Sequence, residues 1–482
     1  MKLLGLRICD HDSNISYFNG EKVFYLKTER KFKDKQHGIN DLKLWKDIIY
    51  EQWGITDKDL DEIAIVFDPW QYGLHTRNDD FFPTIELKDF ATCKVTRINH
   101  HYAHHLSCWP IIKNPNKYNG FSIDGWGDYD QVWTVFKDTK IQEKGSLANI
   151  GSIGNEYCQT GRWFDLKVNK IHDMPGKVMG LQSYGNLDYK FYDFLKRYNF
   201  YNIKNIFDVN YYSDRPNKKL DWLRTVHIYI SDLLIDFLSK HFKKEETFCY
   251  TGGVALNVCW NTEIKNKFRN VIIPPHTGDE GLSLGALEYL RIKHNLPYFQ
   301  IDTFPFCQSD HKPKNYPSES LMIKVSELLK KQKIVGWYQG YGEIGPRALG
   351  NRSILADPRD LEMKERVNDI KQREYFRPFG CSTIDDNFSE SKYMLYTNYI
   401  DKNKYPSITH IDDTCRHHTV NNNFVFRSLL KQFYKITKCK TLLNTSLNIN
   451  GKPLASDFDD AFTLFKSSSL DVLVYGDELY EK

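Results

Sequence analysis

The sequence predicts an α/β protein in two units, residues 1–296 and 318–482, joined by a linker over 297–317. Strand-like apolar runs alternate with helical periodicity along most of the chain. Pro297, Pro305, Pro313 and Pro317 stand among polar residues, as linkers do. At 482 residues the chain is long enough for both units to bury cores of their own.

The first unit opens on the apolar run KLLGLRIC, which meets the polar turn Asp10-His11-Asp12-Ser13. Ser16–Phe18 and Val23–Lys27 flank Asn19-Gly20, which predicts a hairpin with a type I′ turn. Leu42, Trp45, Ile48, Ile49 and Trp53 fall at helical spacing, and Ile63–Phe67 and Val95–Ile98 read as strands. After them comes Asn99-His100-His101-Tyr102-Ala103-His104-His105. On a helix, positions four apart share a face, so either His100 with His104 or His101 with His105 can grip one metal ion. Two imidazoles need further donors, and Asp124 at a strand end and Asp279 at a helix start supply oxygen, which suits iron or manganese. Gly176–Gly185 (GKVMGLQSYG) suits close backbone approach to a ligand. Leu220 to Leu238 follows the pattern of a long amphipathic helix. Gly252-Gly253 before a helical pattern predicts a phosphate cradle.

The second unit begins with the amphipathic stretch Ser320–Lys331 and the strand-like Lys333–Gln339. Residues 340–379 follow. There Arg347, Arg352, Arg359, Arg373, Arg377 and Lys371 lie around Gly345, Pro346, Gly350 and Pro378, with Glu343 and Glu374 near enough to orient guanidinium groups. Cations beside rigid backbone suit an oriented anion site better than a solvated helix face. Leu442 to Asn448 places short amide and hydroxyl side chains after a strand, which suits nucleotide hydrogen bonding.

Composition narrows the class. Ten cysteines without a CxxC pair exclude a disulfide framework or structural zinc ribbon and point to a reducing compartment. No apolar run approaches the ~20 residues of a membrane span, so a cytoplasmic, soluble protein is expected. A net charge of +4 over this length decides nothing about polyanion partners.

The blocks Glu343–Ile354 (E-x-G-P-R-A-L-G-N-R-S-I) and Asn368–Phe379 (N-x-I-K-x-R-E-x-x-R-P-F) resemble the O-carbamoyltransferases that include nodulation and antibiotic-tailoring enzymes. At least six blocks follow in family order between residue 5 and about 476. His11 falls in a similar G-x-x-x-x-H-D-x-S opening, and Ser407–Arg416 is similar to T-H-V-D-G-T-x-R. The chain departs from the family pattern at Thr28 (usually Glu), Lys33 (Arg), His37 (displaced by one), Gln182 (Ala), Asp413 (Gly), His418 (Gln) and Leu447 (Phe).

The resemblance implies an actin-like (ASKHA, Kae1-like) first unit and a YrdC-like second unit. It implies an ATP-dependent transfer of the carbamoyl group of carbamoyl phosphate, through carbamoyl adenylate, to a hydroxyl. In the second unit Arg347, Arg377 and Arg416 would hold phosphates, with Arg352 among the same cations and Mg²⁺ arriving with ATP. Lys371, Asn444 and Ser446 would position the nucleotide. In the first unit His100, His104, Asp124 and Asp279 would bind Fe²⁺ or another divalent transition metal, assisted by Lys177, Gly253 and Asn257. His11 would be the general base. The acceptor expected is a small natural product or sugar. A hydroxymethylpyrimidine nucleotide or DNA is the second choice, favoured by the altered loop Thr28–His37 and by basic residues between 186 and 224 (Lys190, Lys196, Arg197, Lys218, Lys219, Arg224). A tRNA threonylcarbamoyl-adenosine enzyme and a non-catalytic nucleotide-binding scaffold are the competing classes. Oligomeric state is not readable from the sequence.

Overall fold

The structure, a computed structural model, describes residues 1–67, 90–112, 117–207 and 218–482. Strands β1 (Leu3–Arg7), β2 (Asn14–Phe18), β3 (Val23–Lys27), β4 (Glu62–Val66) and β5 (Lys94–Arg97) form a sheet in the order β3-β2-β1-β4-β5. The first three run as an antiparallel meander, and β4 and β5 add in parallel beside β1. The second sheet repeats this plan. Its strands β6 (Asn119–Ile123), β7 (Gln131–Lys137), β8 (Lys140–Ser146), β9 (Phe248–Thr251) and β10 (Val271–Ile272) lie in the order β10-β9-β6-β7-β8, again a meander with two parallel additions. Such a duplicated sheet is the mixed α/β, actin-like architecture expected.

The repeat also places the chemistry. Ligands of open α/β sheets gather beyond the carboxyl ends of strands. β1 and β6 hold the same place in their sheets, and beyond their ends come His11 and Asp124. The helix Leu282–Lys293 packs on β1, β2 and β4, with Leu284, Leu287 and Leu290 wholly buried. The helix Lys219–His241 turns Trp222, Val226, Ile230 and Leu234 into the second core. Its apolar stripe therefore sits where the periodicity predicts.

The third sheet has eight strands: β11 (Val335–Tyr338), β12 (Arg352–Ala356), β13 (Gly380–Thr383), β14 (Tyr396–Tyr399), β15 (Thr414–Thr419), β16 (Thr441–Ser446), β17 (Val472–Tyr475) and β18 (Glu478–Glu481). They lie in the order β14-β15-β13-β16-β12-β11-β17-β18. The helices Glu319–Lys330 and Phe424–Thr437 pack against each other over its core.

Two local expectations change. The hairpin β2–β3 closes through Asn19–Lys22, not a two-residue type I′ turn. Only Gly20 has a left-handed φ, +105°, and the Asn19 side chain accepts from the backbone N–H of Glu21 (2.9 Å) and Lys22 (2.8 Å). An Asx turn thus replaces the backbone turn. Residues 297–317 contain no helix or extended strand, yet they are packed. Phe299 joins Leu3, Tyr25 and Ile344 in one core. Gln308 bridges Tyr25 on one side and Gly342 on the other. No helix among the described residues is long and apolar enough to cross a membrane.

Candidate functional site

Four side chains converge where the two duplicated sheets meet. The helix His100–Leu106 is capped by Asn99, whose side chain accepts from Tyr102 N–H at 3.1 Å, and it carries His100 and His104 on one face. Their Nε2 atoms are 3.1 Å apart. Asp124 Oδ2 lies 3.0 Å from His104 Nε2 and 3.7 Å from His100 Nε2. Asp279 Oδ1 lies 3.3 and 3.4 Å from the same two atoms. Donors bound to one metal at about 2.1 Å are separated by about 3.0–3.4 Å, so these four fit a single divalent ion. The other pair at this spacing is engaged elsewhere: His101 Nδ1 pairs with Thr134 Oγ1 at 2.9 Å, and His105 is stacked between Tyr118 and Phe136. Further groups orient the carboxylates. Gly253 N–H donates to Asp124 Oδ2 (3.0 Å) and Gly125 N–H to Oδ1 (2.6 Å), while Arg7 Nη2 donates to Asp279 Oδ2 (2.8 Å). Burial opposes the charge on Asp279, but His100 and Arg7 outweigh it and hold the carboxyl well below its ordinary range.

His11 stands beside this cluster. Its Nδ1 is 3.2 Å from Asp12 Oδ2, and its Nε2 is 4.0 Å from Asp279 Oδ2 and 3.9 Å from Asp10 Oδ1. Burial pulls the imidazole down, yet Asp12 and Asp279 together raise it above its ordinary value. Asp12 is in turn held by Lys27 Nζ at 3.0 Å, and Lys27 also meets Glu29 at 3.4 Å. Thr28 bonds Ser13 O through Oγ1 (2.8 Å) and N–H (3.0 Å), so the altered loop is sewn to the His11 turn.

The second unit contributes a cluster of cations facing the first. Gly345 has φ +87°, and a Cβ there would lie 2.1 Å from Pro275 O, so only glycine lets this turn press against the first unit. The turn delivers Arg347, whose Nη2 donates to Leu256 O at 3.3 Å. Burial and then the charges of Arg416 and Arg377 push Arg347 well below the ordinary arginine value. Burial, Arg377 and Arg416 do the same to Arg373. Arg416 is lowered to about 10, chiefly by burial with Arg377 beside it. Lys371 is driven down by burial, Arg373, Arg377 and Lys35 of the first unit. Among the described residues, Nε of Arg347 and of Arg416 has no hydrogen-bond partner. Like charges crowded together with unspent donors are suited to an anion. Lys371 also reaches Ser446 O (2.6 Å) and Oγ (3.1 Å), which groups these two predicted residues. Asn444 lies on β16, with Nδ2 on Ala348 O (3.0 Å) and Ser382 Oγ (2.8 Å) and Oδ1 without a partner among the described residues.

Other predicted residues are placed differently. Arg352 is not part of the cluster. It is wholly buried, pairs with Asp310 at 3.0 Å, donates to the carbonyls of Gln339 (2.6 Å), His311 (3.0 Å), Gly340 (3.1 Å) and Ala455 (3.1 Å), and lies on Tyr338. Its fork is saturated, so it braces the second unit. Glu343 orients no guanidinium, because its Oε1 accepts from the backbone of Leu349, Asn351 and Arg352 at 2.8, 2.8 and 3.1 Å. Arg359 is tied to Asp357 at 2.5 Å. Gly253 and Asn257 form no open phosphate cradle: the Gly253 amide serves Asp124, and Asn257 Oδ1 caps the helix Val258–Lys267. Lys177 crosses to the second unit, donating to Glu374 and to Lys167 O. Of the basic residues proposed for nucleic acid, Lys196 pairs with Asp193, Arg197 lies on Phe194, Lys219 on Trp163, and Arg224 donates to Gln182. Residues 208–217 of that stretch lie outside the described residues. At Asp413, which replaces the usual glycine, φ is +59°, a conformation Asp tolerates. Arg7 and His172 escaped sequence reasoning, for no local pattern marks them.

Family profiles match most of the chain. One described as "Carbamoyltransferase N-terminus" matches residues 70–287, and "Carbamoyltransferase C-terminus" matches 326–482. Together they account for more than three quarters of the chain. Nodulation protein NolO of Bradyrhizobium diazoefficiens is 28% identical over 442 residues, covering 80% of this chain and 79% of that protein. An uncharacterized protein of Methanocaldococcus jannaschii is 26% identical, with 99% of each chain covered. Nodulation protein U of Azorhizobium caulinodans is 31% identical over 50% of this chain and 48% of its own. Among solved structures, component A of the Acidaminococcus fermentans (R)-2-hydroxyglutaryl-CoA dehydratase has a TM-score of 0.38 at 12% identity, covering 60% of this chain and 97% of its own. The chain is an enzyme of the carbamoyltransferase family.

Proposed function

We propose that the enzyme makes carbamoyl adenylate in its second unit and spends it in its first, carbamoylating an acceptor hydroxyl. Carbamoyl phosphate is hydrolysed to carbamate and phosphate. Carbamate oxygen attacks the α-phosphorus of ATP, and the α–β bond breaks to release pyrophosphate. The acceptor hydroxyl then attacks the carbamoyl carbon, AMP leaves, and the hydroxyl proton goes to His11 Nε2. The observation that carries this reading is the cluster of Arg347, Arg373, Arg377, Arg416 and Lys371, crowded without enough anions of its own and facing the first unit. Preorganised cations of this kind offset charge on a transferring phosphoryl group. Residues 318–482 therefore form the adenylating part, YrdC-like in role, and residues 1–296 the transferring part. His100, His104, Asp124 and Asp279 would hold a divalent ion, which would supply Lewis acidity toward the adenylate. His11 takes the proton, with Asp12 fixing its Nδ1.

The test supplies ATP and labelled carbamoyl phosphate with kanamycin, with 5-hydroxymethyl-2′-deoxycytidine, and with duplex DNA containing that base. Label on kanamycin is expected. Label on the nucleoside or DNA in its place would transfer the reading to the nucleic-acid acceptor, and in DNA the base must leave the stack. His11→Ala should keep carbamoyl-phosphate-dependent pyrophosphate release and lose transfer. Equal loss of both would sink the division of labour.

A further inference from the structure

The ring of His172 lies over the ring of His11, with centroids 3.9 Å apart and 31° between the planes. His172 comes from the short turn Ile171–Asp173 that leads into the helix Met174–Leu181, and its outer side is open to solvent. It is therefore not there to fill a core. The segment that carries it is fixed on several sides. Asp173 accepts from Lys35 Nζ at 2.5 Å and Gln36 Nε2 at 3.4 Å, and Lys170 meets Asp34 at 3.6 Å. Lys177, farther along, donates to Glu374 of the second unit. Asn169 abuts Gly451, where an added Cβ would come within 2.8 Å of its Nδ2. So the segment 169–177 is clamped between the altered loop and the adenylating unit, and it holds one imidazole against another.

His11 needs such a hold. Its Nδ1 pairs with Asp12 Oδ2, and among the described residues no group lies within hydrogen-bond distance of its Nε2. A ring tethered at a single atom can swing about that contact, whereas a second ring against its face removes the swing. We propose that His172 is a positioning residue for the transfer step: its ring roofs His11 and keeps Nε2 directed at the acceptor hydroxyl. The proposal rests on the reading of His11 as the base that accepts the hydroxyl proton.

Two variants and two readouts test it, with the same three acceptors. His172→Ala should lower transfer kcat by about ten- to a hundredfold, the usual effect of a small misplacement, while acceptor KM and ATP–pyrophosphate exchange stay near wild type. His172→Phe, which keeps a ring but no titratable nitrogen, should retain transfer. The second readout needs no acceptor: diethylpyrocarbonate modification at His11, resolved by peptide mass spectrometry, should speed up severalfold in His172→Ala and not in His172→Phe. Normal transfer by His172→Ala, or an unchanged His11 modification rate in it, overturns the proposal. So does a Phe variant as impaired as the Ala variant, which would mean that a ring nitrogen matters and not the ring. His11→Ala separates the two levels of inference. If it transfers normally, the base assignment falls and the roof with it; if it is dead while His172→Ala is normal, only the roof falls.

Discussion

Replacing Arg416 by methionine should make the ligand-free enzyme more stable and abolish its chemistry. Arg416 is charged at pH 7 both folded and unfolded, but in the fold burial lowers its pKa to about 10, well below the ordinary arginine value. At ~1.4 kcal/mol for each tenfold change, carrying that charge costs the folded chain about 3 kcal/mol. The side chain is only partly buried, so solvent screening reduces the recoverable part to roughly 1–3 kcal/mol. The methionine stem keeps most of the packing. Because both states stay protonated across neutral pH, the gain should not vary between pH 6 and 8. Scanning calorimetry should show the second unit melting higher, by about 2–4 °C per kcal/mol for a unit of this size. Added pyrophosphate should raise the melting temperature of the wild type and leave that of Arg416→Met unmoved, since a ligand stabilises only the state that binds it. A variant that melts below wild type and still responds to pyrophosphate would refute the argument that this arginine is an unsatisfied anion ligand.

Arg352→Met should do the opposite, costing about 3–5 kcal/mol in urea unfolding because it strands Asp310 and several carbonyls in the interior, while the protein that remains folded keeps its pyrophosphate response. Metal-stripped enzyme should gain about 2.7 kcal/mol at a hundredfold excess of ion over its Kd, and His104→Ala should lose that gain; an equal gain in the variant would place the ion elsewhere. Burial lowers His227 to about 3 from 6.5. Above 6.5 both states are neutral and the group contributes nothing; below it the unfolded chain alone takes up the proton, so stability is lost as pH falls toward 3, at up to ~1.4 kcal/mol per pH unit. His227→Gln should therefore flatten the acid limb of the stability curve, and parallel limbs for variant and wild type would rule this out.

Spacing in the sequence was enough to pair His100 with His104 or His101 with His105, because helical geometry puts residues four apart on one face. It was not enough to choose, since the choice depends on which way that face turns against β6 and β7. Asp124 and Asp279 were reachable because each sits at an element end with an unambiguous apolar approach. Arg352 looked like its neighbours Arg347 and Arg377, and composition cannot tell an arginine at the start of a buried strand from one on a turn. Its partner Asp310 lies in the segment read only as a linker. His172 was invisible, for its meaning is entirely in what it stacks on.

That segment has a consequence for dissecting the enzyme. Phe299 fills the core of the first sheet, Ser309 N–H bonds Tyr25 O at 2.7 Å, and Gln308 N–H bonds Gly342 O at 3.2 Å. A gene fragment ending at residue 296 would expose the greasy underside of β1 and leave the β3 edge unpaired, inviting aggregation. Half-proteins meant for complementation should be cut after His311, so that the first half carries this stitching with it.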